Sequence, residues 1–211
     1  MITIRKSEER GHANHGWLDT YHTFSFADYR DPEHLMFRKL RVMNEDRIAP
    51  NNGFGTHPHD NMEIITYVIS GELEHRDSMG NGSIIKAGEF QLMSAGTGIT
   101  HSERNPSRDI ETHLYQMWVF PEERGLTPSY SQKSFAAAQN QIQLVASREA
   151  GNGSLPIHQD MKLYLCRLEN GGQIELPLAE SRYGWIQAIS GDFLLNGQRL
   201  SAGDGAAVRE L

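Results

Sequence analysis

Cysteine is almost absent: among 211 residues there is one, Cys166. A single cysteine excludes an intrachain disulfide framework and suits a reducing compartment. It lies in the apolar run KLYLCRL, residues 162 to 168, which predicts a small buried side chain rather than a nucleophile. Positive charge is also in short supply. Lys and Arg total 20 against 27 Asp and Glu, a formal net charge of -7, so the chain lacks the basic footprint that grips a phosphate backbone or an anionic lipid surface. Direct nucleic-acid and membrane partners are excluded on that ground. No run of about eighteen apolar residues occurs, and MITIRKSEER has no apolar stretch followed by a small-residue cleavage site. The expectation is a soluble, cytoplasmic protein.

Helical periodicity is scarce as well. What recurs instead are short runs rich in Val, Ile, Tyr, Phe and Trp between Gly, Asn and Asp, as in MEIITYVIS, HLYQMWVF, QIQLVAS and GWIQAIS. That pattern predicts an all-β sandwich or barrel. Asn81-Gly82 and Asn196-Gly197 offer positive-φ residues for tight hairpin turns. A short helix is expected only near SFAAAQN, residues 134–140.

The chain also repeats itself. VISGELEHRDSMGNGSIIKAGE at 68–89 returns, shortened, as AISGDFLLNGQRLSAGD at 188–204, aligning Gly71 with Gly191 and Gly88 with Gly203. Two β-barrels in tandem follow: an N-terminal one over 1–125 and a C-terminal one over 141–211, joined by a Pro- and Gly-punctuated linker at about 121–140. The first copy runs on past its Ala-Gly-Glu through His101 to Phe120, whereas the second reaches Leu211 soon after Asp204. The second barrel is therefore expected to be incomplete, through lost strands or with its open edge covered by a partner chain.

The chemistry concentrates in two short segments. In GFGTHPHDNME, His57 and His59 are two residues apart, so on an extended strand both imidazoles point to one face, roughly 6.6 Å apart along the backbone. GTGITHSERN presents His101 and Glu103 at the same spacing. If the two strands face each other, three imidazole nitrogens and one carboxylate converge on one ion, a donor set that suits iron, zinc, manganese, copper or nickel with positions left open for water or substrate. Glu63 shares the parity of His57 and His59 but lies about 13 Å beyond His59 on an unbent strand. It is left as a carboxylate behind the ligands or an alternate ligand, and Glu103 is favoured.

Stepping back through the second repeat as His57, His59 and Glu63 stand in the first lands on Pro177, Ala179 and Tyr183, none an equivalent ligand. With only His158 elsewhere in that half, the second barrel reads as structural or as an interface. His12, His15, His22 and His34 share no strand face and are expected in hydrogen-bonding roles. His75, in the charged run ELEHRDS, is expected to be solvated, and His113 opens a strand. A Gly-x-Ser-x-Gly elbow is missing, and AGTGITH leads into strand-like sequence rather than a helix, which excludes a serine-hydrolase site and a phosphate cradle there.

His57-x-His59-x-x-x-Glu63, then Gly88 with five residues between it and the Ser94-Ala95-Gly96 turn, then His101 with Asn105 four on, resembles the two motifs of the cupins. Asn51 stands where the first motif usually opens with glycine, and two extra residues separate Gly96 from His101. Those departures, Glu103 just after the histidine, the opening run GWLDTYHTFSFADYRDP at 16–32, and the segments THPHDNME and SAGTGITHSERN make the chain resemble the pirin family in particular.

The resemblance implies a bicupin with one divalent transition metal, usually Fe(II), in the N-terminal barrel, and carries the ligand role onto His57, His59, His101 and Glu103. It also implies quercetin 2,3-dioxygenase activity: a flavonol coordinates the metal through its 3-hydroxyl, dioxygen attacks the activated ring, and carbon monoxide leaves. Glu103, or Glu63 if it approaches the open site, would take the hydroxyl proton. Phe54, Met62, Phe90, Met93 and Trp118 are candidate walls for the flat ligand, although a barrel core needs such residues regardless. The alternative is a non-enzymatic regulator that binds protein partners according to the metal's oxidation state.

Overall fold

A computed structural model describes residues 1–136 and 139–209. Its strands are β1 (Ile2–Arg5), β2 (Gly11–Asn14), β3 (Leu18–His22), β4 (Leu40–Ile48), β5 (Gly53–His59), β6 (Glu63–Ser70), β7 (Glu72–Asp77), β8 (Gly82–Lys86), β9 (Glu89–Ser94), β10 (Ile99–Arg104), β11 (Thr112–Val119), β12 (Ser129–Ser134), β13 (Gln141–Ser147), β14 (Leu155–Pro156), β15 (Lys162–Arg167), β16 (Gly184–Gln187), β17 (Asp192–Leu195), β18 (Gln198–Ser201) and β19 (Gly205–Val208). Among the described residues the helical turns are two 3₁₀ pieces, Ser7–Glu9 and Gly151–Gly153. No helix of the described residues is long and apolar enough to cross a membrane.

The first barrel closes a seven-stranded sheet, order β12-β9-β6-β11-β4-β3-β2, over a four-stranded one, β5-β10-β7-β8. Strand alternation divides β6 between two cores. Ile64 and Val68 point into the barrel, where they meet Met93 and Ile99 or Leu73, Ile85 and Leu114. Ile65 and Tyr67 point the other way, onto a core shared with Val145, Ala146, Leu155 and Ile157 of the second half. A sheet covered on both faces needs apolar residues at both parities, which is why EIITYVIS reads as a continuous apolar run.

The repeat appears in the backbone. Gly71 and Gly191 take φ of 76° and 69°, and Gly88 and Gly203 take 85° and 87°, values that only a residue without Cβ adopts freely. Asn196 and Gly197, at φ 47° and 81°, turn β17 into β18 as expected. The equivalent Asn81-Gly82 is not itself the turn: Gly80 supplies the positive φ of 92°, Gly82 already lies on β8, and the Asp77 carboxylate accepts the backbone N–H groups of Met79 and Asn81 to close the loop.

Several expectations are corrected. The edge expected to lack strands or to be covered by a partner chain is taken by this chain's own β1, which pairs along β19 from Ile2↔Val208 to Arg5↔Gly205, with β16 on the other side. Within 121–140, where a linker was expected, β12 pairs with β9 and completes the large sheet of the first barrel. The helix expected over 134–140 falls partly on residues 137 and 138, outside the described residues. Around them, Ser134 ends β12 and Gln139 bridges to Arg167. Cys166 is exposed rather than buried: on β15, Leu163 and Leu165 pack toward the shared core, and the opposite parity carries Tyr164 and Cys166 outward.

Candidate metal centre

β5 and β10 run antiparallel with His101 directly opposite His57 and Ile99 opposite His59. Beyond that pair the register shifts, Glu103 falling opposite Phe54, so β5 carries one residue more than β10 between the two pairings. Such a bulge re-aims side chains locally. The outcome is a triad in which ligand-capable atoms of His57, His59 and His101 all lie within 4.8 Å of one another. The ring centroids are 4.5 to 4.9 Å apart.

Proton positions follow from the partners. His57 Nδ1 lies 2.7 Å from the Gly55 carbonyl, which can only accept, so Nδ1 carries the hydrogen and the Nε2 lone pair faces inward. That lone pair meets His101 Nε2 at 3.0 Å. Burial, reinforced by the charges of His101 and His57, depresses the His59 pKa to about 4, and burial with the neighbouring His57 and His75 depresses that of His101 to about 3. Both are therefore neutral imidazoles at pH 7, the form that binds metal.

Glu103 is buried and belongs to an adjoining cluster with His101 and His75, likewise within 4.8 Å. Its Oε2 accepts from Gln116 Nε2 at 2.8 Å, and Gln116 Oε1 in turn accepts from Trp118 Nε1 at 3.0 Å. Its Oε1 is buried without a partner, an orphaned acceptor that a cation or a proton donor would satisfy. Three imidazole nitrogens and this carboxylate oxygen fit a divalent transition ion.

Glu63, expected behind the ligands or as an alternate one, is not brought to the triad. The chain turns through Asp60–Met62, with Asn61 at φ 47°, and puts Glu63 on the face of β6 that looks at the second half. There its carboxylate accepts from Ser94 Oγ at 2.6 Å and faces the backbone N–H and Nδ1 of His158 at 3.2 and 3.3 Å.

His75 corrects the sequence reading most sharply, since it is completely buried instead of solvated. Leu73, His75 and Asp77 alternate with Glu74 and Arg76 along β7, and the burial of Leu73 at the same parity is the signal that would have found it. A second residue outside the expected set is Asp46, hydrogen-bonded by Thr20 Oγ1 and with its pKa raised to about 7 by burial and then by the charges of Glu103 and Glu45. Of the other histidines, His12 bonds to Asp19, His22 to Asn44, His34 to Asp31 and His113 to Glu45, whereas His15, expected in such a role, bonds among the described residues only through its backbone N–H, to the Leu18 carbonyl. Neither cluster of possible ligands includes a residue of the second repeat among the described residues.

Of the five candidate wall residues, Phe90 and Met93 are core. Phe54 packs against Trp17 near His57. Trp118 sits edge-on to His59 at 4.8 Å, and with Met62, Phe26 and Tyr29 it lines an open cleft of about 300 Å³.

The two-barrel fold with a His-rich site between β5 and β10 defines a bicupin. Residues 3–119 match the Pirin family and residues 144–211 match the quercetinase C-terminal cupin domain. The chain is 55% identical over 208 residues to the quercetin 2,3-dioxygenase of Escherichia coli strain K12, covering 99% of this chain and 90% of that protein, and 38% identical over 213 residues to a pirin-like protein of Caulobacter vibrioides, covering 100% and 91%. The crystal structure of the bacterial pirin YhhW from Escherichia coli in complex with nickel(II) superimposes with a TM-score of 0.87 at 51% identity, over 99% of this chain and 90% of that one. This chain belongs to the pirin family.

Proposed function

We propose that the chain is a metal-dependent dioxygenase that opens the ring of a flavonol such as quercetin with dioxygen and releases carbon monoxide. The observation that carries this reading is the convergence of three histidines, two of them held neutral by burial, beside a buried carboxylate oxygen without a partner. Relatives named quercetin 2,3-dioxygenase and one crystallised with nickel(II) support it. His57, His59, His101 and Glu103 hold the ion, with Fe(II) the proposed native metal. When bound, the ion supplies Lewis acidity that lowers the pKa of a coordinated hydroxyl.

The remaining work falls to side chains. Gln116, itself held by Trp118, fixes Glu103 through Oε2, and Glu103 Oε1 is the acceptor for the proton of the substrate 3-hydroxyl. Glu63 takes no part, its oxygens being committed to Ser94 and His158. Trp118 and Met62 form the wall against which a flat aromatic ligand rests.

Oxygen uptake and carbon monoxide release with quercetin test this, using protein loaded anaerobically with one equivalent of Fe(II). Turnover that requires iron and disappears in a His57→Ala/His101→Ala control is expected. Stoichiometric bound iron with no turnover overturns the dioxygenase reading.

A further inference from the structure

Behind His101, on the side away from His57, lies a second set of buried groups. β7 pairs with β10 so that Asp77 is opposite His101 and His75 is opposite Glu103. His75 Nδ1 faces His101 Nδ1 at 3.4 Å, long for a hydrogen bond but in line with one, and His75 Nε2 faces Asp77 Oδ2 at 3.0 Å. The side chains of His75 and Asp77 are both fully shielded from solvent. The Asp77 carboxylate is anchored by Asn81 Nδ2 at 2.9 Å and by the backbone N–H groups of Met79 and Asn81. Tyr130 stacks on the His75 ring at 4.8 Å, and its hydroxyl is tied to Ser83. The His75 ring is thus held in place by both packing and hydrogen bonds.

With His75 as a neutral imidazole the donors fall in one order: the Asp77 carboxylate only accepts, so His75 Nε2 carries the hydrogen and Nδ1 is a bare acceptor. The hydrogen between the two Nδ1 atoms then belongs to His101, which leaves the His101 Nε2 lone pair pointing at the lone pair of His57, 3.0 Å away. Two facing lone pairs at that distance repel each other, and a cation between them removes the repulsion.

We propose that Asp77 and His75 are positioning residues, a buried carboxylate–imidazole relay that fixes the tautomer and ring orientation of His101 so that its Nε2 is presented to the ion. The inference rests on the metal-holding role of His101 given above. It assigns no contact with substrate to His75 or Asp77. The rival is that His75, His101 and Glu103, which also cluster within 4.8 Å, hold a second ion of their own.

The test is Ni(II) binding by titration calorimetry at fixed pH, on wild type, His75→Phe and His75→Asn. Phe keeps the stack on Tyr130 and removes the acceptor, and Asn Oδ1 restores an acceptor at the place of Nδ1. One ion per chain in wild type, a Kd weakened about 10–100-fold in His75→Phe, and affinity largely recovered in His75→Asn are expected. His75→Phe binding as tightly as wild type overturns the relay and leaves the metal site standing. Two ions in wild type with one lost in His75→Phe overturns it in favour of the second site. No uptake by wild type removes the metal reading itself, and the relay with it. A measurement without variants guards against misfolding: long-range ¹H–¹⁵N spectra of the metal-free protein should show His101 as the Nδ1–H tautomer and His75 as the Nε2–H tautomer, and the reverse assignment at either ring overturns the relay.

Discussion

His57 and His101 face each other Nε2 to Nε2 at 3.0 Å across the β5–β10 pairing, the hydrogen of His57 being held on the far nitrogen by the Gly55 carbonyl. Removing either of the two takes one of the four proposed donors away outright. His101→Ala is expected to weaken Ni(II) binding by more than the roughly 10–100-fold cost of losing an outer partner, read as the Kd and stoichiometry from calorimetry.

The metal-free protein should be acid-sensitive in a defined window. In the unfolded chain His59 and His101 titrate near their ordinary 6.5, whereas in the fold they titrate at about 4 and about 3. Between those values the unfolded state binds more protons, so stability is present above pH 6.5 and declines as pH falls toward 4. Urea midpoints of metal-free wild type should drop across that interval, and His59→Asn should flatten the profile.

Asp46 gives the opposite slope. Its folded pKa of about 7 lies above the ordinary 3.8, so the fold holds the extra proton between those values and stability declines as pH rises toward 7 and beyond. Asp46→Asn keeps an acceptor for Thr20 and carries no charge. In metal-free protein it is expected to be more stable than wild type at pH 8, on the order of 2–4 kcal/mol, with little difference at pH 4. Equal denaturation midpoints at pH 8 would show that Asp46 is not held protonated.

Glu63 separates a structural carboxylate from a ligand. Glu63→Ala orphans the donors of Ser94 and His158 at the contact between the barrels, at a cost of about 1–3 kcal/mol. Ni(II) affinity should stay within about threefold of wild type, as for independent sites. A large loss of affinity with unchanged stability would place Glu63 at the metal.

Much of this was legible because it is local. The His57–His59 spacing determines that both rings share a strand face whatever lies around them, and Gly88 and Gly203 mark equivalent turns because only such residues take φ near 86° cheaply. Glu63 was misplaced because its parity with His59 was counted through Asp60–Met62, where the strand ends and the chain turns. His75 and Cys166 were misread for a shared reason: charged or apolar neighbours in sequence were taken for neighbours in space, while on a strand those neighbours point to the opposite face.

The sequence by itself therefore determined the two β-barrels, the barrel that carries the histidines and the shared strand face of His57 and His59, since periods of two and matched turns are properties of consecutive residues. Only the tertiary structure decided that β1 closes the edge of β19, that Glu63 serves the contact with His158, and that Asp77 and His75 stand behind His101. Those are pairings between strands far apart in the chain, and their register is set by which faces can be buried together rather than by any local pattern.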